Sequence, residues 1–276
     1  GYCWRLWKAM YGTRTASRFF GSFVTDVFLS EEWTLISVVP MTFHHDGMDA
    51  DISCHGDDFM GQADEASANA IDSMMKKHFD VKILPRIGPP QYGGQASSGS
   101  HLNRTITWSE AGFTWEGNIK HIHDLCRLVG LEPGKSKGVN TPADKATGKG
   151  NRAILEPLAK ERASLFRTGA GTLQYIAEDT PSVKHATSDI MGGMSAPQEL
   201  HELRLHRAAR FLMVHPGEIW IYDYQTMPKN VTEMADSDWA GDTVTRKSTS
   251  CVAECFGGQL IDVSVSKQTP LALSSG

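Results

Sequence analysis

The sequence predicts an α+β chain. Three observations carry this. Apolar residues recur at helical spacing in separate blocks, apolar–polar alternation of period two sets in past Gly217, and an Asp-Gly turn separates two strand-like runs. At 276 residues the chain is long enough for about two domains, taking roughly 150 residues for each. Hydrophobic residues make up 40% and charged residues 21%, which excludes a disordered chain. Lys+Arg 27 against Asp+Glu 32 gives a net charge of -5, with pI ≈ 6.1. A uniformly basic nucleic-acid coat is excluded, while a local basic groove is not.

The elements follow in order. Phe19, Phe20, Phe23, Val27 and Phe28 predict a helix from Thr15 to Leu29. Leu35 to Phe43 reads as a strand, and Asp46-Gly47 as the turn into a second strand from Asp49 to His55. His44 and His45 abut that turn and are expected to face solvent. Gly56-Asp57-Asp58 is a second tight turn, with a short strand from Phe59 to Gln62. Asp64 caps a helix to about His78, whose inner face is Ala70, Ile71, Met74, Met75 and His78. Val81 to Leu84 is a further strand candidate, and the Pro, Gly and Ser residues of 85–100 make a loop. A hairpin spans 101–115. Asn118 caps a helix with Ile119, Ile122, Leu125, Cys126 and Val129 inward, stopped by Gly130. Residues 133–152 read as a linker. Helices fill 158–214, broken at Pro181 and Pro197, and strands are expected at 218–225, 231–236, 248–256 and 259–266.

No apolar run approaches the roughly 18–20 residues that span a bilayer, so no membrane partner is expected. No charged segment followed by an apolar one marks a secretory signal. The five cysteines are scattered and odd in number, which favours a reducing setting, cytoplasmic or nuclear, over secretion. The missing initiator Met leads us to expect a fragment.

Asp57 and Asp58 are the first candidates for chemistry. A hairpin tip brings two carboxylates together, and like charges that close repel unless a divalent cation neutralises them. Mg²⁺ accepts one or two carboxylates plus substrate phosphates, a set suited to phosphoryl or nucleotidyl transfer. Asp is also common in turns simply because its side chain bonds nearby backbone.

Several blocks, in order, resemble a known family. Leu6-Trp7-Lys8-Ala9-Met10-Tyr11-Gly12-Thr13-Arg14-Thr15-Ala16, His55-Gly56-Asp57-Asp58, Phe79-Asp80-Val81-Lys82, Leu102-Asn103-Arg104, Thr141-Pro142 and Gly169 to Ala177 come first. Pro197 to Leu212, Asp236-Ser237-Asp238-Trp239-Ala240-Gly241-Asp242, Arg246-Lys247-Ser248-Thr249-Ser250, Ser266-Lys267-Gln268 and Leu273-Ser274-Ser275 complete the series. Together they resemble the reverse transcriptase of copia-type LTR retrotransposons, continuing into its ribonuclease H region within a Pol polyprotein. The string around Asp236 to Ser250 is the most specific part.

The resemblance implies an N-terminally truncated part of a reverse-transcriptase palm and thumb at 1–132, an antiparallel sheet with helices. It implies a basic linker and connection helices at 133–216, and the start of a C-terminally truncated ribonuclease H-like mixed sheet at 217–276. It implies RNA-directed DNA polymerase chemistry with Mg²⁺ or Mn²⁺, on an RNA or DNA template-primer with deoxynucleotides. Asp57 would be a palm metal ligand with Asp58 supporting it, and Asp236 the first ribonuclease H carboxylate. Tyr11 and Gly12 would open the helix under template and nucleotide, with Arg14 beside them, and Lys82 would face the leaving pyrophosphate. Departures accompany the match. His55-Gly56 stands where the family has a Tyr-led pair, Arg14-Thr15 where it has Lys-Gln, and Ser17 where it has Pro. The family's upstream aspartate would precede Gly1, and its ribonuclease H glutamate would follow Ser275. The chain alone is therefore expected to show little polymerase or ribonuclease activity.

Between Gly134 and Arg167, Lys135, Lys137, Lys145, Lys149, Arg152, Lys160, Arg162 and Arg167 outnumber Asp144, Glu156 and Glu161. Arg204, Arg207 and Arg210 fall on one helix stripe. With the resemblance, Lys135, Lys137 and these arginines become candidates for contact with a nucleic-acid backbone. Two other readings compete. One is a catalytically dead retroelement remnant that keeps fold and nucleic-acid binding. The other is an unrelated metal-dependent nuclease built on Asp236 and Asp238, which a fold without the Asp57 hairpin would favour.

Overall fold

The computed structural model describes residues 10, 12–13, 15–132, 134–143, 155–241 and 246–269. Mixed helices and antiparallel sheets make the fold α+β, as expected. The chain divides into two compact units. One holds residues 1–102 and 108–110, the other 103–107 and 111–276.

The first unit is an antiparallel sheet backed by two helices. Helix α1 (Ala16–Ser30) precedes strands β1 (Thr34–Leu35), β2 (Thr42–His45), β3 (Ala50–His55) and β4 (Asp58–Gln62), which lie in that order in the sheet. Helix α2 (Glu65–His78) follows, its first turn capped by Asp64, whose carboxylate accepts the Ser67 N–H at 2.7 Å. Alternation along β3 sends Ala50, Ile52 and Cys54 inward and Asp51, Ser53 and His55 to the other face. The inner residues meet Phe43, Val24, Phe28, Met74 and Met75 in one core. Phe28 stacks on Phe43 with ring centroids 4.5 Å apart. Burying Phe28 fully is worth about 2–3 kcal/mol. Both helices back the same face of this sheet.

Two expectations for this unit change. The strand expected over 35–43 is split: Pro40 has no N–H to give a ladder, Met41 takes a positive φ of 53°, and Val38 is 85% exposed. Val81 to Leu84 lies outside any helix or strand. The last strand of the unit, β5 (Ser98–His101), ends at a Leu102-Asn103 turn in which both residues have positive φ, the pattern of a type I′ hairpin.

Strands β6 (Arg104–Ser109), β7 (Gly112–Gly117) and β8 (Ile219–Asp223) are neighbours in that order, and residues 104–107 of β6 belong to the second unit. Helices α3 (Ile119–Leu128), α4 (Lys160–Asp179), α5 (Lys184–Met191) and α6 (Glu199–Val214) share a core that includes Leu125, Phe166, Leu173, Ile190, Leu205 and Leu212. Pro181 and Pro197 separate these helices as expected. Ile119, read as inward, is 43% exposed in the first turn of α3. Arg162 on α4 reaches Glu199 at 2.9 Å and Glu202 on α6, and these pairs, Glu202 first, raise its already high pKa. Strands β9 (Val231–Ser237), β10 (Thr249–Phe256) and β11 (Gln259–Lys267) form a sheet in the order β11-β10-β9. Its described strands are all antiparallel, where a mixed sheet was expected. The expected region boundary at 216/217 is not a division between compact units, because β8 pairs with β7 across it.

Candidate functional site

The paired aspartates lie at the tip of the β3–β4 hairpin. His55 pairs with Asp58, so the loop is the two residues Gly56 and Asp57. Gly56 has φ 64° and Asp57 does not take positive φ, which suits a type II′ turn with Gly first. Both carboxylates are exposed. Asp58 belongs to the outer face of the sheet, in alternation with Met60 and Gln62. Cys54 points the other way, into the core, and its thiol donates to the Gly56 carbonyl at 3.4 Å. Burial, then the charges of Asp57 and Asp58, push the Cys54 thiol up.

Two adjacent exposed carboxylates fit one hard cation that is also held by phosphate oxygens. Among the described residues no group of three or more His, Cys, Asp or Glu is placed to hold a metal ion. Asp51 is not available as a third carboxylate. Its two oxygens meet His44 Nδ1 at 2.9 Å and Gln62 Nε2 at 2.7 Å. His44 was expected to face solvent as a plain turn residue; it is half-buried and bonded instead. This cluster was legible only through the register, which sets His44 opposite Asp51 and Asp51 opposite Gln62.

The other candidates are scattered. Tyr11 and Arg14 lie outside the described residues. Gly12 makes a turn before α1 at φ 86°, closed by the Thr13 N–H on the Met10 carbonyl. Lys82 is exposed in the segment after α2. Lys135 pairs with Glu132 at 2.5 Å. Arg207 donates to Thr141 Oγ1 at 2.8 Å and Arg210 to the Lys137 carbonyl at 2.6 Å, so both hold segment 137–141 against α6. Arg204 is half-buried; burial first, then the charges of Arg204 and Lys267, push His201 down.

The two acids of the Asp-Ser-Asp string part company. Asp236 is exposed on β9 opposite Cys251, and one of its oxygens accepts the Ser237 N–H. Asp238 sits just past the strand and accepts the Thr249 N–H at 2.7 Å, while its own N–H goes to the Thr249 carbonyl. The Ala240 N–H bonds the buried Ser248 hydroxyl. A side chain at Gly241 would meet the Asp238 carboxylate at 1.9 Å. Much of the string therefore ties the end of β9 to β10. Asp242 lies outside the described residues.

Sequence reasoning also missed a buried acid in the second unit. Asp179, at the end of α4, is 7% exposed and accepts from Arg104 Nε at 2.7 Å and Trp115 Nε1 at 3.3 Å. Its carbonyl accepts from Trp220 Nε1. The Arg104 guanidinium lies 5.3 Å from the Tyr175 ring centroid. No pattern of period two or 3.6 joins residues so far apart in the chain.

No family model matches the chain, and no solved structure matches it. An uncharacterized mitochondrial protein of Arabidopsis thaliana, AtMg00810, is 31% identical over 112 residues. The match covers 40% of this chain and 45% of that protein, so the chain spans under half of its relative's length. No described helix is long and apolar enough to cross a membrane.

Proposed function

We propose that the chain derives from the reverse transcriptase and ribonuclease H region of a copia-type retrotransposon polyprotein, and that its hairpin tip belongs to a nucleotidyl-transfer site. The observation that carries this is the placement of Asp57 and Asp58. They occupy the exposed end of an antiparallel hairpin whose sheet is backed by two helices. The ordered resemblance of the surrounding blocks supports the same reading.

Asp57 and Asp58 would hold a Mg²⁺ or Mn²⁺ ion together with phosphate oxygens of a deoxynucleotide or template-primer. The bound ion would neutralise charge on those phosphates. The protein's own part is to hold two carboxylates on a rigid turn. Gly56 bends the chain without strain, and Cys54 anchors the loop through its carbonyl. Asp236, exposed on its strand, would serve the ribonuclease H region in the same manner. Lys82, Lys135, Lys137 and the Arg204–Arg210 stripe would meet the phosphate backbone.

The test is Mn²⁺ titration of the isotope-labelled full chain, read by paramagnetic broadening of backbone amide signals. Broadening centred on Gly56 to Phe59, lost in Asp57→Asn, supports the site; no broadening there rejects it. Asp57 is exposed, so the variant retains its fold. With two carboxylates at the tip, the 276-residue chain is expected to bind RNA–DNA hybrid without extending a primer. Hybrid affinity should fall steeply with salt. A flat salt response would remove the backbone contacts from the proposal.

A further inference from the structure

The outer face of the first sheet carries a side-chain cluster that the metal reading does not use. His44 on β2 presents both ring nitrogens to carboxylates. Nδ1 is 2.9 Å from Asp51 on β3, and Nε2 is 3.2 Å from Asp46 in the 3₁₀ turn Asp46–Met48 that joins the two strands. A neutral imidazole bears one N–H, so in either tautomer it would turn a lone pair toward one of these anions. Only the imidazolium satisfies both. Asp51 in turn accepts from Gln62 on β4 at 2.7 Å. The second ring proton thus ties the turn to a cluster that joins β2, β3 and β4.

We propose that His44 is a proton-operated rivet, which as imidazolium ties the turn and three strands together and on losing its proton releases the turn. The inference stands without the nucleotidyl-transfer reading, because no part of it involves Asp57 or Asp58. The groups that face His44 are Asp51 from β3, Asp46 and Asp49 from the turn, the neutral Gln62 beyond Asp51 from β4, and Thr34 opposite on β1. Every charge among them is negative. The neighbouring His45 lies on the inner face against Trp33, and its Nδ1 accepts the Met48 N–H, so that nitrogen carries no proton. The two adjacent histidines therefore have opposite proton requirements, and the turn depends on both.

The signs agree with the geometry. The Asp51 hydrogen bond first, then the charges of Asp51, Asp46 and Asp49, raise His44 above its ordinary 6.5 against opposing burial. A raised folded value gives stability that is full below the ordinary value and lost as pH climbs through the raised one. Burial works to raise Asp51, but its bonds to His44 and Gln62 outweigh that and hold it below 3.8. Its contribution is lost as pH falls through that lowered value. Between these limits the rivet is closed.

The experiment is an NMR titration of the histidine ring signals in the full chain, paired with amide exchange of residues 46–50 corrected for intrinsic base catalysis. His44 is expected to titrate above 6.5, to shift down in Asp51→Asn, and to shift down less in Asp46→Asn. Exchange in the turn should accelerate as His44 deprotonates and become independent of that midpoint in His44→Gln. Should Asp51→Asn fail to fold, Asp46→Asn decides alone, since that side chain is 95% exposed. A His44 midpoint at its ordinary value, or one that neither substitution moves, overturns the proposal. So does turn exchange that follows the same pH course in His44→Gln.

Discussion

Replacing Arg104 with Met should destabilise the second unit by about 3 kcal/mol. The Asp179 side chain is 10% exposed and the Arg104 side chain 16%, so the pair is nearly dry. Removing one partner of a buried pair costs about 3–5 kcal/mol, because the other charge is left without compensation. The Trp115 indole N–H remains 3.3 Å from Asp179 and keeps part of that interaction, which places the loss at the lower end. At roughly 2–4 °C per kcal/mol for a unit of this size, the melting midpoint should fall by about 6–12 °C. Differential scanning calorimetry with urea unfolding gives both numbers. The double variant Arg104→Met with Asp179→Leu should lose less than Arg104→Met alone, because it buries no orphan charge. A single-variant loss under about 1 kcal/mol, or a double variant worse than the sum of the singles, would refute the assignment of Asp179 as a buried ionised carboxylate.

Three further predictions concern the first unit. Gly56→Ala forces a side chain into positive φ at the hairpin tip and should cost about 1–2 kcal/mol, with Gly56→Asn milder, as measured by urea midpoint. Gly61→Ala should cost about 1–3 kcal/mol, since its Cβ would lie 2.7 Å from Ile52 Cγ1 and 2.8 Å from the Asp51 carbonyl oxygen. Glu31 at the end of α1 is held below its ordinary 4.5 by Lys77, then His78, on α2. Its contribution is therefore present above 4.5 and lost as pH falls through the lowered value, and Glu31→Gln should flatten that part of a stability–pH curve.

What the sequence revealed and what it hid divide along a physical line. Features that depend on residues close in the chain were legible. The Asp64 cap, the stops at Pro181 and Pro197, the Gly56-Asp57 turn and strands β9 to β11 all follow from local spacing and backbone preference. Features that depend on register or on distant packing were not. Val38 and Val39 belong to a run with high strand preference, yet Pro40 denies the ladder a donor and the run leaves the sheet. His44 and Asp51 are seven residues apart with a turn between them, so only the pairing brings them together. Arg104 and Asp179 meet through a helix end packed against a strand, which no local pattern encodes.

The same line separates the two acids that the sequence could not tell apart. Asp236 and Asp238 share a spacing of two, so alternation alone gives them one face and one role. The hydrogen bonds break the tie. Asp238 spends its carboxylate on the Thr249 N–H and is packed against Gly241, so pulling it toward a cation would undo the closure of β9 on β10. Asp236 gives one oxygen to its own neighbour's N–H and keeps an exposed position. On the proposed reading, a metal role on this strand would fall to Asp236. Asp238→Asn should weaken the sheet, because the amide oxygen is a neutral and weaker acceptor for the Thr249 N–H than the carboxylate. Asp236→Asn should leave the fold intact. Calorimetry on the two variants separates these outcomes, and equal losses of stability would return the two acids to a single role.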